Sequence, residues 1–372
     1  MISTAGSGAG PHLAGKRIAV AMSGGVDSSV AAALLVEQGL EVVGVNLKLN
    51  DLPDSEKHNK ACCSLDDTLD ARQVCGRLGI PFYVLDFVEP FGRQVIDYFV
   101  QSYARGRTPN PCVMCNRAIK SRLMLDAVRE FGCEFLASGH YAAIRRNPDS
   151  GDHEIARPRD RRRDQTYFLA GTERSALPHL LFPLADLEKP KVRELAEKMG
   201  FLSWAKPDSQ EVCFVPRDYR DFIAQKSGAG QTRPGEFQDR GGNVLGRHTG
   251  LTAYTVGQRR GLGVGGAEPS YVLELDAARN VVVLGREEEL YATGLEAVEV
   301  NWVSRPAPRA PIQVVAQVRY AHQGTAALVE PGDAGRARVT FAQPVRAIAP
   351  GQAVAFYDGE VLLGGGWIAA AF

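Results

Sequence analysis

The 372-residue chain predicts an α/β protein with a doubly wound parallel-sheet domain, a small β-rich connector and a C-terminal β-barrel. Three observations lead there. Strand-like and helix-like patterns alternate through the first half, the rhythm of parallel strands joined by crossover helices. Glycine-rich and turn-rich sequence begins near residue 216, and beyond about residue 291 short β-patterned runs recur with turn signals between them. A single core stops growing at roughly 250–300 residues, so a chain of this length is expected to divide.

The elements follow in order. "MISTAGSGAGPHLAGKR" is small and polar, which predicts a disordered tail over 1–13 and no secretory leader. "RIAVAM" reads as a buried strand and "SSVAAALLVEQG" as a helix closed by Gly39. "EVVGVNLKL" is the next strand, "DDTLDARQVCGRLG" a helix stopped by Gly79, and "IPFYVLDF" a third strand. A helix near 90–105 leads into "RGRTPNPCVMCN", another runs to about Gly132, and "CEFLASGHY" is a strand entering a loop. The first domain is thus expected over 14–215, the connector over 216–290 and the barrel over 291–372. Barrel strands are read in "IQVVAQVRY", "TAALVE", "RARVTF", "AVAFYD" and "VLLGGGWIAA", with Pro-rich "SRPAPRAP" as a link or edge.

Lysine plus arginine (43) balance aspartate plus glutamate (43), so no global field favours nucleic acid and any polyanion site must be a local patch. No apolar run approaches the roughly 20 residues that span a bilayer, so a cytoplasmic protein without membrane contact is expected. The seven cysteines are Cys62, Cys63, Cys75, Cys112, Cys115, Cys133 and Cys213. An odd number without a leader argues for thiols, metal ligands or redox chemistry rather than a disulfide framework.

Strand, glycine turn and helix start in "AVAMSGGVDSSVAAALL" aim backbone N–H groups and a positive helix end at one point. That is an anion site, most often for phosphate. The lysine of the common GxxxxGK loop is missing; Ser23, Asp27, Ser28 and Ser29 offer hydroxyls and a carboxylate instead. Such a site suits pyrophosphate held as one leaving unit, with Asp27 reaching Mg²⁺. The plain alternative is a strand-to-helix turn with an Asp or Ser cap. Two other glycine patterns are decoys. Gly10–Lys16 has Arg17 where Ser or Thr is required and precedes the first strand, and "GLGVGG" at 261–266 has no helix after it.

Two cysteine sites stand out. Cys112 and Cys115 form a CxxC beside a helix start, where a thiol pKa is lowered. Cys213 lies in "KPDSQEVCFV", after Lys206, Asp208, Ser209 and Gln210. Plain alternatives are a zinc or redox pair for the first and a small buried hydrophobe for the second. "ARPRDRRRDQTYFL" carries Arg157, Arg159, Arg161, Arg162 and Arg163, which suit RNA phosphates, and Tyr167 and Phe168 read as the start of a strand. Alternatively it is a solvated loop balanced by Asp160 and Asp164. Arg259 and Arg260 of "GQRRG" would add phosphate contacts or merely stabilise a turn.

"SGGVDSS" resembles the signature of the N-type ATP pyrophosphatases, the PP-loop enzymes, which cleave ATP between the α- and β-phosphates. Eight phrases, in order and over nearly the whole chain, are similar to those of the tRNA-specific 2-thiouridylases of MnmA/TrmU type: "AMSGGVDSSVAA", "CCSLDDTLDARQVCGRLGIPFYVLDF", "GRTPNPCVMCN", "ASGHYA", "RDQTYFL", "KPDSQEVCFV", "GLTAYTVGQRRGLGV" and "APGQAVAFYDGEVLLGGGWI". The resemblance implies ATP- and Mg²⁺-dependent 2-thiolation of the wobble uridine U34 in tRNAs for Lys, Glu and Gln. It implies Cys115 as nucleophile and Cys213 as acceptor of sulfane sulfur, with Asp27 also in the catalytic set. Implied nucleotide contacts are Ala21, Met22, Ser23, Gly24, Gly25, Val26, Asp27, Ser28, Leu47 and Gly139. Implied tRNA contacts are Asn110, Pro111, Cys112, His140, Arg163, Asp164, Gln165, Arg319, Tyr320 and Gln352.

Many members have Asp where this chain has Cys112, so Cys112, Cys115 and Cys213 also offer a ligand set for a [4Fe-4S] cluster. Implied partners are a tRNA anticodon stem-loop and a sulfur-carrier or cysteine desulfurase protein, with the enzyme a monomer. Two other readings compete: a PP-loop ligase acting on a small carbonyl substrate, and a non-catalytic tRNA-binding iron–sulfur scaffold. The three cysteines argue against the ligase, and neither reading explains the match along the whole chain.

Overall fold

The structure, a computed structural model, describes residues 13–50, 65–207, 212–215, 218–227, 233–265 and 268–372. Cys62, Cys63, Asp208, Ser209 and Gln210 lie outside the described residues, as do Gly10 and Gly266 of the two decoy patterns.

The first domain opens with β1 (Arg17–Ala21), α1 (Val26–Glu37), β2 (Glu41–Lys48), α2 (Leu65–Leu78) and β3 (Phe82–Asp86). Helical segments over 88–104 and 111–130 follow, then β4 (Phe135–Ser138), β5 (Ala143–Arg146), β6 (His153–Ala156), β7 (Leu180–Leu181) and a helix at Lys189–Lys198. Five strands form a parallel sheet in the order β3-β2-β1-β4-β7. Alternation along β1 sends Ile18 and Val20 into one core and Ala19 into the other, as a sheet covered on both faces requires. In α1 every residue from Ser28 to Leu35 is buried, so this helix has no polar face and runs through the core. Leu13, the end of the expected tail, is 1 % exposed and packs in the same core as Ile18.

The connector carries a helix at Tyr219–Ser227 and strands β8 (Gly235–Gln238), β9 (Val244–His248), β10 (Tyr271–Asp276) and β11 (Val281–Gly285). They form a sheet in the order β10-β11-β8-β9 over a core that includes Phe237, Tyr254, Val272 and Leu284. His248 is 2 % exposed; its Nδ1 accepts the Gly250 N–H at 3.1 Å and its Nε2 donates to the Asn280 carbonyl at 3.2 Å. The bond in which Nδ1 accepts requires the neutral ring, and burial, outweighing the Asn280 hydrogen bond, lowers the pKa from 6.5. The unfolded chain therefore binds this proton more readily, and stability is lost as pH falls below the ordinary histidine value. Melts at pH 7.5 and 5.5 should differ by about 1 kcal/mol more in the native protein than in His248→Gln, whose amide can make both bonds without titrating. Equal pH dependence in the two proteins would exclude His248 as the source.

The C-terminal domain holds β12 (Tyr291–Trp302), β13 (Ile312–Gln317), β14 (Thr325–Pro331), β15 (Ala337–Arg346), β16 (Ala353–Asp358) and β17 (Val361–Ala371). Successive pairing β12-β15-β14-β13-β16-β17, with β12 also paired to β17, closes a six-stranded barrel. β12 is absent from the runs read as strands. Its alternation breaks at Glu299, whose φ is +48°, and its register against β17 shifts between Val298 and Asn301.

The barrel is also joined to the first domain by main-chain pairing that the sequence did not announce. Val361 and Leu362 of β17 pair with Ala156 and Ile155 of β6, so the β5–β6 hairpin extends the barrel sheet. Nearby, the Thr108 N–H donates to the Pro350 carbonyl at 2.8 Å, Tyr167 donates to the Ala353 carbonyl at 2.9 Å, and the Tyr98 and Trp367 rings lie 5.3 Å apart. Tyr167 and Phe168 do not begin a strand: Thr166–Leu169 is a 3₁₀ turn. Asp164 accepts both the Thr166 N–H at 2.9 Å and its hydroxyl at 2.6 Å, which coils the chain here. A strand would send Tyr167 and Phe168 to opposite faces, whereas both rings lie near Tyr320 of the barrel domain. Among the described residues no helix is long and apolar enough to cross a membrane.

Candidate active site

The glycine turn lies at the carboxyl end of β1, the central strand, where open parallel sheets bind ligands. The Met22 N–H donates to the Val45 carbonyl at 2.8 Å and Asn46 Nδ2 donates to the Met22 carbonyl at 2.7 Å, anchoring the chain entering the turn. Gly24 adopts φ +75°, and a Cβ there would lie 2.3 Å from the Asp67 carbonyl oxygen at the start of α2. Gly25 is the N-cap of α1 and offers no side-chain cap, so the first turn presents backbone donors toward the loop.

The hydroxyls divide their work. Ser28 accepts the Ser23 N–H at 3.2 Å and donates to the Gly25 carbonyl at 3.1 Å, while Ser29 donates to the same carbonyl at 2.9 Å. Ser28 and Ser29 are buried and hold the turn's shape; Ser23 is exposed. Met22, Gly24 and Val26 are buried and Ala21 is half-buried at the end of β1. Leu47 is 8 % exposed on β2, the neighbouring strand.

Asp27 is not a cap. Both its oxygens lie 2.8 Å from Nζ of Lys189, and Oδ1 also accepts the Tyr141 hydroxyl at 2.9 Å. Lys189, which is 5 % exposed, stands 162 positions along the chain from Asp27 and was not read from the sequence as part of this site. Its only sequence signal was a Lys-Pro pair opening a helix. Gly139 packs on the other side of the α1 start: a Cβ there would lie 2.8 Å from both the Asp27 carbonyl carbon and the Ser28 nitrogen. His140 is half-buried beside it, with Nδ1 2.7 Å from the Ser138 hydroxyl and its ring 5.9 Å from Phe182. Burial, aided by Lys120, holds its pKa well below 6.5, so His140 is a neutral hydrogen-bonding group at physiological pH.

The structure sorts the cysteines. Cys75 and Cys133 are buried thiols, and burial pushes Cys75 up to about 12. Cys112 is exposed in the first turn of the helix at 111, capped by Asn110, which accepts the Val113 N–H at 3.1 Å. Cys115 is half-buried where this helix passes into a π-wound stretch, Cys115–Met124. Cys213 is half-buried beside Phe214, whose ring meets Phe91 and Phe99 edge-on. Cys115 and Cys213 pack against the same apolar core. Among the described residues no group of three His, Cys, Asp or Glu side chains converges as metal ligands do.

Residues read as RNA-facing converge from both ends of the chain. Asn110 Nδ2 donates to Gln352 Oε1 at 3.3 Å, and Gln352 in turn donates to the Pro109 carbonyl at 3.3 Å; Pro111 is buried. Asn116 Nδ2 donates to the Phe168 carbonyl at 3.1 Å, and Phe168 lies against Tyr320 with ring centroids 4.7 Å apart. Tyr320 is 45 % exposed, and its neighbour Arg319 donates to the Arg346 carbonyl at 2.9 Å. The arginine run is only partly a solvated patch. Arg157 pairs with Asp164 and lies 3.9 Å over the Tyr357 ring, and Arg161 pairs with Glu360, so both join the run to the barrel domain. Arg162 is exposed and Arg163 half-buried. Gln165 accepts the Tyr141 N–H at 2.9 Å, tying the arginine-rich loop to the residue that bonds Asp27.

A parallel sheet whose central strand ends in a glycine turn at a helix start, followed by a β-rich connector and a closed β-barrel, defines an α/β enzyme of the PP-loop class. Family models agree in sequence: a tRNA methyl transferase HUP domain matches 16–217, a tRNA methyl transferase PRC-barrel domain 220–286 and an aminomethyltransferase beta-barrel domain 292–368. The chain is 49 % identical to a tRNA-specific 2-thiouridylase MnmA of Geobacter metallireducens, over 96 % of this chain and 97 % of that one. Identity is 46 % to the enzyme of that name in Symbiobacterium thermophilum, over 95 % and 92 % of the two chains. It is 47 % to that of Magnetococcus marinus, over 95 % and 99 %. The chain belongs to the MnmA family of tRNA-specific 2-thiouridylases.

Proposed function

We propose that this protein uses ATP to replace the C2 oxygen of the wobble uridine U34 with sulfur in tRNAs for Lys, Glu and Gln, releasing AMP and pyrophosphate. The observation that carries this reading is the conjunction of a pyrophosphate-type glycine turn with two half-buried cysteines, from separate segments, on one core beside a joint between the first domain and the barrel. Neither amide formation nor passive RNA binding needs that conjunction.

A uridine carbonyl oxygen is a poor leaving group, and attack of that oxygen on the α-phosphorus of ATP converts it into part of an AMP leaving group. The turn's backbone donors hold the departing pyrophosphate. Mg²⁺, which takes one or two carboxylates plus phosphate oxygens, would use Asp27 as its protein ligand and neutralise charge on the phosphates. Cys213 accepts a sulfane sulfur from a sulfur-carrier or cysteine desulfurase protein. The Cys115 thiolate attacks the inner sulfur of that persulfide, expelling hydrosulfide and leaving a Cys115–Cys213 disulfide. Hydrosulfide adds to C2, AMP leaves with the oxygen, and a thiol reductant returns two electrons to the disulfide.

On the RNA side, U34 must leave its stack, at a cost of a few kcal/mol. Asn110, Pro111, Cys112 and His140 line its path, while Arg163, Arg319, Tyr320 and Gln352 hold the anticodon stem-loop against both domains. Asp164 and Gln165 act by shaping that surface, since both bond inward. The test combines purified protein, unmodified tRNA, ATP–Mg²⁺ and a persulfide donor under anaerobic conditions, with 2-thiouridine and pyrophosphate both counted. Equal amounts of the two products are expected. Pyrophosphate without thiouridine would redirect the reading to another carbonyl substrate, and neither product would leave an RNA-binding scaffold.

A further inference from the structure

Resting on that reading, we propose that Lys189 is the cation of the pyrophosphate site, and that it exchanges Asp27 for phosphate oxygens when a magnesium–nucleotide complex binds. The glycine turn has no lysine of its own, yet the fold brings a buried ammonium to its edge. The two partners are rooted in rigid elements. Asp27 stands in the first turn of α1, and Lys189 opens the helix Lys189–Lys198, whose Val192, Leu195 and Ala196 share one core with the apolar residues of α1. The Lys189 N–H is fixed as well, donating to Asp160 Oδ2 at 2.9 Å. The ammonium is thus carried to the start of α1 by a long crossover, where the common phosphate loop would supply it from the adjacent residue.

Charge accounts for the exchange. An ammonium that is 7 % exposed along its side chain needs an anion beside it, and Asp27 meets that need in the ligand-free protein. Pyrophosphate arriving at the turn's N–H groups would be repelled by the Asp27 carboxylate. With Mg²⁺ bound, Asp27 would serve as its carboxylate ligand, and Lys189 would turn its ammonium to the phosphate oxygens. Tyr141, whose hydroxyl donates to the same carboxylate, steadies Asp27 through the change. Asp27 is 31 % exposed along its side chain, so it opens toward solvent and an incoming ion, whereas Lys189 is walled in. A purely structural ion pair would act on stability and be indifferent to which part of the nucleotide is offered.

Calorimetric titration of the full chain with two probes, magnesium pyrophosphate and AMP, separates these roles. Lys189→Met should raise the Kd for pyrophosphate at least about tenfold and change that for AMP less than about twofold, and Lys189→Arg should recover most of the pyrophosphate affinity. Unchanged pyrophosphate binding in folded Lys189→Met would overturn the inference, as would equal losses for both probes. If Lys189→Met fails to fold, the double variant Asp27→Asn/Lys189→Met removes both charges of this pair and is compared with Asp27→Asn alone. Equal pyrophosphate affinities in those two would likewise overturn it. Wild-type protein that binds neither probe would instead refute the proposed ATP chemistry itself.

Discussion

Cys115→Ser is expected to lower thiouridine formation by at least about 10³-fold while pyrophosphate release on tRNA stays within about threefold of wild type. In the proposed reaction adenylation uses the glycine turn and sulfur transfer uses the thiols, so its two halves should separate. Cys213→Ser should show the same split with a persulfide donor but recover with free sulfide, because sulfide bypasses the acceptor. Cys112→Ser should cost less than about tenfold, since Cys112 is exposed while Cys115 and Cys213 pack against one core. Nucleoside analysis with parallel pyrophosphate counting reads all three variants. Equal, sulfide-resistant loss in all of them would favour a three-cysteine ligand set over a persulfide. Loss of pyrophosphate in Cys115→Ser would mean that the thiol also serves adenylation.

Gly24→Ala is expected to abolish nucleotide binding. Its methyl would meet backbone, 2.3 Å from the Asp67 carbonyl oxygen and 2.7 Å from its Cα, and the residue's φ of +75° disfavours any side chain. Either α2 retreats or the turn deforms, at a cost of about 2–4 kcal/mol, and the turn's N–H groups lose their common focus. Gly139→Ala should behave similarly through the start of α1, where the methyl would press on the Asp27 carbonyl carbon and the Ser28 nitrogen at 2.8 Å. Gly39→Ala is the control. Its φ is +74° but nothing lies within 4 Å of the added Cβ, so it should lose about 1 kcal/mol of stability and keep its ATP affinity. ATP titrations and melts on the three variants check this. Gly24→Ala with native ATP affinity would show that the turn does not hold the phosphates.

Much of the site was legible because its parts are local. The turn Ser23–Gly25 needs a left-handed glycine between a buried strand and a helix, and such a need marks the sequence directly. The CxxC and the lone Cys213 stood out in the sequence, and the structure adds that Cys75 and Cys133 are buried. Other assignments failed for equally physical reasons. Tyr167 and Phe168 have a strand-like composition, but Asp164 captures the Thr166 N–H and hydroxyl and coils the segment. The arginine run looks uniform in sequence, yet Arg157 and Arg161 are held by Asp164 and Glu360 at the joint between domains. Strand β12 was overlooked because its alternation is broken at Glu299 and at its bulges against β17.

Local pattern by itself determined the α/β class, the order of the three units, the glycine turn and the identity of the thiols, since each depends on residues near one another along the chain. Only the tertiary structure decided that Lys189 neutralises Asp27, that Asn110 meets Gln352, and that a first-domain hairpin extends the barrel. Those pairings join residues 162, 242 and about 200 positions apart, and they arise from how buried charge, donors and strand edges find partners when the chain folds back on itself, within the first domain and across its joint with the barrel. No periodicity or spacing along the chain encodes them.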